Sequence, residues 1–377
     1  NKLYLHEIDS SMSILIKSAK IIDASSKFNG KTKDIFIKQG IIQEIADNIV
    51  KKSAKEINLD NLHVSQGWLD SSVCFGEPGL EERETIENGS LTACLSGFTD
   101  IILNSNTLPV IDSKADVIYV KSKNKNKALK IHPLGALTVK SEGSEMAELH
   151  EMFDSGAVGF YDYKTSVKNP NLLKTALQYV QHFDGLIMTF PFEKSICQNG
   201  QMNEGEISTL YGLEGIPSLS EEITLERDLK ILEYTGGKLF IPTISTTKSV
   251  ELIKKAKRKG LQIMTSVSIN NIFFNEEKLI NFDTRFKILP PLRSEEDRLI
   301  LVNALSEGII DFCTSDHCPI DIDNKKTDFK NSLFGATGLE SVFGALNSLY
   351  KTEKVIEILT RKKDLFGIKN EVIDLGS

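Results

Sequence analysis

The chain has 377 residues, of which 40% are hydrophobic and 26% are charged, and its formal net charge is −7. This length allows one large domain and a smaller one. The negative charge argues against a general affinity for nucleic acid or for an anionic membrane surface, and no run of about 18 apolar residues predicts a membrane-spanning helix.

Cysteine usage indicates a reducing compartment. The five cysteines, an odd number, are scattered along the chain and form no CxxC motif: Cys74, Cys94, Cys197, Cys313 and Cys318. Scattered cysteines of this kind are typical of reduced thiols, so the sequence predicts a cytoplasmic protein without a disulfide framework.

The first part of the chain predicts a small β domain. Residues 1–11 precede the first strand pattern and are predicted to be a tag or a disordered lead. Residues 12–65 contain short runs of alternating polarity, separated by turn pairs such as Asn29-Gly30 and Gln39-Gly40. The C-terminal segment, 351–377, is predicted to form a helix and then to return to this domain and complete it.

Residues 66–350 predict an α/β fold of the (β/α)₈ TIM-like barrel type. Buried strand patterns such as "GFTDIIL" (97–103) and "AVGFYD" (157–162) alternate with helical patterns such as "EMAELHEMFDSG" (145–156) and "LERDLKILEYTGG" (225–237). About eight strands, each usually followed by a helix, fit a barrel. Barrels of this type place their chemistry at the C-terminal ends of the strands.

A series of motifs in a fixed order carries a family resemblance. They include "EPG" (77–79), "ETIENG" (84–89), "NTLPVID" (106–112), "PPLRSEEDR" (290–298), "GIIDFCTSDHCP" (308–319) and "FGATGLE" (334–340). With these motifs the chain resembles the dihydroorotases of the amidohydrolase superfamily, in the bacterial form that is linked with aspartate transcarbamoylase. The resemblance covers nearly the whole chain after Met12.

The resemblance implies an activity and a metal. Dihydroorotases interconvert dihydroorotate plus water with N-carbamoyl-aspartate, in pyrimidine biosynthesis. Their barrel of the amidohydrolase type usually holds one or two zinc ions, which lower the pKa of a bound water and polarise the ring carbonyl. An aspartate after the eighth strand moves the proton, and by resemblance this is Asp316.

The zinc-binding imidazoles that the family uses are missing here. Its first strand ends with Asp-x-His-x-His-x-Arg, where this chain has Asp70, Ser72, Cys74 and Gly76. The other positions that match family ligands are Asp162, Phe190, Thr243 and Asp316. The chain has six histidines, of which only His317 stands at a predicted strand end. We therefore expect no zinc and no other cofactor.

Two readings of the remaining site residues stay open. Cys74, Asp162 and Asp316 are legitimate zinc ligands, but a buried free cysteine is more often a small apolar residue. Of the substrate anchors, only Asn106 is retained as a relict, since Gly76, Leu289 and Ile320 stand at the other positions; an Asn can equally cap its own loop. Asp316 is a general base only if the protein is active.

The sequence leaves three functional hypotheses. The first is a catalytically degenerate dihydroorotase homologue, kept as a non-catalytic partner or scaffold, for example for aspartate transcarbamoylase, and homodimeric as in the family. The alternative is an active dihydroorotase or cyclic amide hydrolase with an atypical site. The third is a small-ligand sensor that uses the barrel mouth.

Overall fold

The computed structural model of the chain describes residues 13–126 and 128–377, so the predicted lead at 1–11 lies outside the described residues. These residues form two compact units, one made of residues 13–67 with Lys363–Ser377 and the other of Trp68–Lys362. The larger unit thus extends beyond residue 350 and includes the helix that the sequence analysis assigned to the returning segment.

The smaller unit is built on one sheet. Its strands are β1 (Ser13–Ile22), β2 (Thr32–Lys38), β3 (Ile41–Ala46), β4 (Lys55–Ile57) and β5 (His63–Ser65). The central β1 pairs antiparallel with β2 and parallel with β4 and β5.

The C-terminal segment belongs to this unit. Ile373 packs with Ile21 and Ile35 in its core. The Ile373 amide donates to Asp23 Oδ2 over 2.8 Å. The segment 363–377 therefore supplies both an apolar side chain and a backbone donor to the sheet.

The larger unit is an eight-stranded parallel barrel, which confirms the predicted fold class. Its strands are β6 (Trp68–Val73), β7 (Phe98–Leu103), β8 (Lys130–Pro133), β9 (Phe160–Tyr161), β10 (Ile187–Met188), β13 (Leu239–Ile241), β14 (Ile263–Ser268) and β15 (Phe312–Thr314), with the short pair β11 (Met202–Asn203) and β12 (Gly215–Ile216) inserted between β10 and β13. Strands β6, β7 and β8 form one sheet, and the other five barrel strands form a second. The bridge between Gly135 and Phe160 joins these two sheets, and the bridge between Val73 and His317 closes the ring.

Helices follow most of the barrel strands. They are α1 (Ile86–Leu95), α2 (Lys114–Lys123), α3 (Leu149–Asp154), α4 (Pro170–Val180), α5 (Lys194–Cys197), α6 (Glu206–Tyr211), α7 (Ser218–Thr235), α8 (Thr247–Arg258), α9 (Ile269–Phe273), α10 (Glu295–Ser306), α11 (Ile322–Lys325), α12 (Val342–Leu349) and α13 (Thr352–Thr360). None of the helices in the described part of the chain is long and apolar enough to cross a membrane.

Local sequence explains where several helices begin. Thr85 starts α1 by accepting the Asn88 amide, and Thr246 starts α8 by accepting the Ser249 amide. Helix α3 is shorter than the pattern at 145–156 predicted, because Met146 bridges to Thr138 and the Ala147 amide donates to Leu137 O. Because Met146 and Ala147 make these extended contacts, they cannot also form the first turn of a longer helix.

Candidate functional site

An ion pair lies at the rim, by which we mean the C-terminal ends of the eight barrel strands and the residues that directly follow them. Lys164 follows β9 and Asp316 follows β15, and Lys164 Nζ lies 2.8 Å from Asp316 Oδ2. Both side chains are buried, with 12% and 4% of their surface exposed. The ammonium therefore sits against the carboxylate that the sequence analysis selected as the relict general base.

Burial and the ion pair shift the pKa of each of these two groups in opposite directions. Burial is the largest influence on Asp316 and raises the pKa of its carboxyl, although Lys164 offsets part of the effect. Burial disfavours the charged form of Lys164, but Asp316 and the neighbouring Cys318 outweigh it and raise the pKa of the ammonium. Lys164 is accordingly a fixed positive charge at the rim.

Two cysteines lie beside this pair, and they influence each other's ionisation. A hydrogen bond from Cys74 is the main cause that lowers the pKa of Cys318 to about 6, helped by the Lys164 ammonium and the Tyr163 hydroxyl. Burial, followed by the contact with Cys318, raises the pKa of Cys74 well above its usual range. Cys318 is therefore the more acidic thiol of the two, and the Lys164 ammonium favours its ionised form.

His317 is held by two of the motifs that carry the family resemblance. Its Nε2 lies 2.8 Å from Glu84 Oε2, in the "ETIENG" motif, and its Nδ1 accepts the Gly338 amide over 3.2 Å, in the "FGATGLE" motif. Because Nδ1 is an acceptor, the ring proton is on Nε2 and is donated to Glu84. These bonds use both ring nitrogens, so His317 has a positioning function within the rim.

Asp70, within the first strand, accepts hydrogen bonds from the end of the last strand. Its carboxylate accepts the Ser315 amide over 3.0 Å, the Ser72 amide over 3.1 Å and the Thr314 hydroxyl over 2.5 Å. Burial raises the pKa of this carboxyl, and these bonds offset part of that rise. Asp70 thus fastens β6 to β15 where the barrel closes.

The first-strand positions that match family histidines hold small, hydrogen-bonded side chains. Asn104 Nδ2 donates to Ser72 Oγ over 3.0 Å and to Cys74 Sγ over 3.4 Å. All three residues are buried. Ser72 and Cys74 therefore form part of a packed network around Asn104.

Asp162, which matches the family's bridging acid, binds a neighbouring loop. Its Oδ1 accepts the Thr138 amide over 3.0 Å and its Oδ2 accepts the Thr138 hydroxyl over 2.6 Å. The side chains that approach Cys74, Cys318 and Asp316 from this strand end are those of the next two residues, Tyr163 and Lys164. Asp162 is therefore engaged by Thr138, and within the described residues it forms no metal-holding group with Cys74 and Asp316, the partners with which a mixed zinc site was considered.

The remaining matched positions are buried. Phe190 is 1% exposed and its ring stacks at a tilt against Phe192, with centroids 5.8 Å apart. Thr243 has a left-handed backbone with φ of 56°, which is costly for a β-branched residue. Asp316 and Lys164 also have left-handed backbones, at 48° and 49°. Strained backbone of this kind clusters at functional sites, and here it persists at three strand ends.

Gly76, which stands at the position of the arginine in the family's first-strand motif, cannot be replaced by a residue with a side chain in this backbone. A Cβ atom at Gly76 would lie 1.8 Å from Leu80 O. The Leu80 amide donates to Gly76 O, and the Gly76 amide donates to Glu84 O, each over 2.9 Å. The loop from 76 to 84 has therefore folded back over the place from which the family's arginine side chain would emerge.

The buried oxygen atoms at the rim that have no hydrogen-bond partner within residues 13–126 and 128–377 include Asn104 Oδ1, Asn106 Oδ1, Thr243 Oγ1 and Asp316 Oδ1. Such atoms are usually satisfied by water or by a ligand. Among the same residues, no group of three or more His, Cys, Asp or Glu side chains is arranged to hold a metal ion.

Comparisons with known proteins agree on one family. Residues 63–249 match the dihydro-orotase-like family. The dihydroorotase of Caldanaerobacter subterraneus subsp. tengcongensis is 36% identical over 339 residues, which cover 89% of this chain and 78% of that protein. The dihydroorotase of Pelotomaculum thermopropionicum is 32% identical over 375 residues, covering 97% and 87%.

The chain belongs to the dihydroorotase family. Solved structures agree with its fold: the L-hydantoinase (dihydropyrimidinase) of Arthrobacter aurescens superposes with a TM-score of 0.81 at 21% identity, covering 94% of this chain and 82% of that one. The D-hydantoinase (dihydropyrimidinase) of a Thermus species gives 0.78 at 20% identity, covering 97% and 84%. At these identities the likeness concerns the barrel fold alone.

Sequence reasoning missed several residues of this dihydroorotase-family rim. Lys164, Tyr163 and Glu84 were not selected as site residues, although Glu84 stands in a motif that was singled out. Cys74 was considered without Cys318. Because the first and eighth strands of a closed barrel are neighbours, the pairing of their end residues was the available signal.

Proposed function

We propose that this dihydroorotase-family protein is non-catalytic and acts as a scaffold. The observation that carries the proposal is the Lys164–Asp316 ion pair. In the family, the aspartate at this position moves a proton beside a cation-activated water. Here a buried ammonium lies against that carboxylate, so the carboxylate's charge is compensated by the protein itself.

The residues at the rim do not fit a catalytic zinc ion. Such an ion takes about three protein ligands and an open position. Cys74, Cys318 and Asp316 are the candidate donors that share the rim cluster, but no three such side chains in the described part of the chain are arranged to hold a metal ion. Lys164 Nζ also lies 2.8 Å from one of the two carboxylate oxygens of Asp316. Asp162 is engaged by Thr138 and Phe190 supplies no donor atom. A fixed ammonium would also repel a divalent cation.

The experiment is a paired measurement of metal content and turnover. The purified protein is analysed for zinc, and ring closure of N-carbamoyl-aspartate and its reverse are assayed with added zinc, beside the Caldanaerobacter dihydroorotase as positive control. We expect no stoichiometric zinc and no turnover above the uncatalysed rate. Turnover that is lost on chelation and recovered with zinc would refute the proposal.

The preserved shape supports a binding role. Glu84 and Gly338 fix His317, and Asp70 fastens the ends of the first and last strands, although no reaction is assigned to them. We propose a cytoplasmic homodimer that supports another enzyme, with aspartate transcarbamoylase as the first partner to test. Affinity purification of the tagged protein under mild lysis, followed by light scattering of the complex, tests this; recovery of the protein without aspartate transcarbamoylase would contradict that partner.

A second candidate function is an atypical member of the family that binds a small polar molecule, or acts on it without metal. The buried rim oxygen atoms without partners favour it, since a ligand with several N–H donors would satisfy them. Calorimetric titration with dihydroorotate separates the candidates. Saturable binding without turnover would identify a sensor, and metal-independent turnover would identify an atypical hydrolase.

A further inference from the structure

Cys74 and Cys318 occupy neighbouring positions on the two strands that close the barrel. Val73 and His317 form a parallel bridge, and the Cys74 amide donates to His317 O over 2.7 Å. Cys74 directly follows Val73, and Cys318 directly follows His317. Both are free and buried, with 4% and 6% of their surface exposed.

This register fits the geometry of a disulfide. Adjacent strands run about 4.8 Å apart, and disulfides join residues whose Cα atoms are about 4.4–6.8 Å apart. Because Val73 and His317 are paired, the side chains of the next residues lie on the same side of the sheet. The interaction between the two thiol groups agrees with this arrangement.

We propose that Cys74 and Cys318 form a dithiol modification site that small hydroperoxides oxidise to an intramolecular disulfide. The register places the two sulfurs side by side, and Cys318 is the sulfur that reacts first, because Cys74 and the Lys164 ammonium both favour its thiolate. Cys318 itself keeps 6% of its surface exposed, so the oxidant has to be small.

The chemistry balances with the hydroperoxide as oxidant. The Cys318 thiolate attacks the terminal oxygen of the peroxide, the O–O bond breaks, and a sulfenic acid and hydroxide (or an alkoxide) result. The Cys74 sulfur then attacks the Cys318 sulfur, forming the S–S bond and breaking the S–O bond. The departing hydroxyl takes the Cys74 proton and leaves as water. Two electrons pass from the two sulfurs to the peroxide.

The other three cysteines provide internal comparisons. Cys313 lies in β15 and belongs to the apolar core of the barrel. Burial raises the pKa of the Cys197 thiol, and Cys94 accepts a hydrogen bond from Asn126. None of the contacts described for these three joins them to a second cysteine. A reaction confined to Cys74 and Cys318 is therefore distinguishable from general oxidation of buried thiols.

The bond would join the first strand to the last. In the described part of the chain, the first and last strands are connected by the β-bridge between Val73 and His317. The Asp70 side chain adds hydrogen bonds from Ser315 and Thr314. A covalent link one residue further along would make separation of β6 from β15 impossible until a thiol reductant acts. We expect a higher thermal midpoint for the oxidised protein than for the reduced protein.

Peptide mapping of the full chain tests the site. Wild type, C74S, C318S and the control C313S are treated with low concentrations of hydrogen peroxide, unreacted thiols are alkylated under denaturing conditions, and the peptides are analysed by mass spectrometry. We expect a Cys74–Cys318 cross-link in wild type and C313S that dithiothreitol reverses. In C74S, dimedone should trap sulfenic acid at Cys318, and in C318S neither product should form.

If a variant fails to fold, peptide mapping of the wild-type protein alone still tests the proposed cross-link. Oxidation of Cys318 without the cross-link, or oxidation that reaches Cys94, Cys197 and Cys313 at the same rate, would overturn the proposal. Circular dichroism of each variant, recorded before oxidation, identifies the variants that are folded. The readout is a covalent bond, so it is independent of whether the protein catalyses any reaction.

Discussion

His317 Nε2 lies 2.8 Å from a carboxylate oxygen of Glu84, although 233 positions separate the two residues in the chain. The bond joins the loop after the first barrel strand to the end of the eighth. On the other side of the imidazole ring, the Gly338 amide donates a hydrogen bond to His317 Nδ1. Two motifs that stand out in the sequence therefore converge on one imidazole and fix its position.

Replacing Glu84 should destabilise the fold according to how much of this bond is lost. E84A leaves the buried Nε2–H without an acceptor, which should lower the free energy of unfolding by about 1–3 kcal/mol. E84Q keeps an acceptor oxygen and should cost less. Urea unfolding measures both, with E82A on the exposed neighbour Glu82 as the control. Equal losses for E84A and E82A would contradict the contact.

The Lys164–Asp316 pair predicts strong coupling between two substitutions. K164M or D316L alone leaves a buried charge without its partner and should cost about 3–5 kcal/mol. The double variant K164M/D316L removes both charges and should be far less destabilised than the sum of the single variants. A double-mutant cycle measured by chemical denaturation gives the coupling energy. Additive losses would show that the two side chains do not interact in solution.

Gly76 should tolerate no side chain. G76A places a methyl group against Leu80 O, a backbone atom that moves only with its loop, so we expect a loss of about 1–3 kcal/mol or more. G344A, in α12, is the matched control because a Cβ there meets no atom within 4 Å. Alanine in a helix is more favourable than glycine, so G344A should be neutral or stabilising. Thermal unfolding compares the two variants; similar midpoints would contradict the close contact.

Lys287 predicts a stability change in alkaline solution. Burial lowers the pKa of its ammonium to about 8 from an ordinary value of 10.5. Its Nζ donates to Phe329 O over 2.7 Å and to Lys330 O over 3.2 Å. Between these two pKa values the unfolded chain binds more protons than the folded chain, so the free energy of unfolding should rise with pH across this window.

K287M should remove part of this slope, by roughly 1–2 kcal/mol across the window after allowance for solvent screening. Lys325, whose pKa burial also lowers to about 8, contributes a second step, so K287M/K325M should flatten the profile further. K369M replaces an exposed lysine and should leave the slope unchanged. Urea unfolding at several pH values up to 10.5 makes the comparison. A slope of equal size in wild type and in the double variant would refute the assignment.

The barrel could be predicted because strand and helix periodicities alternate clearly after residue 66. Helix bounds were less certain: α7 begins at Ser218, two turns before the pattern that predicted it, and α3 gives up its first turn to the bridge between Thr138 and Met146. These differences arise from contacts with distant residues or from local polar sequence, which hydrophobic periodicity does not register.

The site was harder to predict than the fold. The sequence placed Asp316 and His317 together after the eighth strand, but it selected Asp162 among the three consecutive residues after β9. Which of these residues faces Asp316 depends on the left-handed backbone of Lys164, and strand alternation carries no information about that. The contact between Cys74 and Cys318 likewise depends on barrel closure.

The close approach at Gly76 limits how this rim can be redesigned. Introducing histidines at the strand ends by single substitutions would still provide no arginine at position 76, because Leu80 O lies 1.8 Å from the place of its Cβ atom. An anchor for a carboxylate at this position would require a new backbone for the whole 76–84 loop. Engineering a ligand site here is therefore a problem of loop design before it is one of side-chain choice.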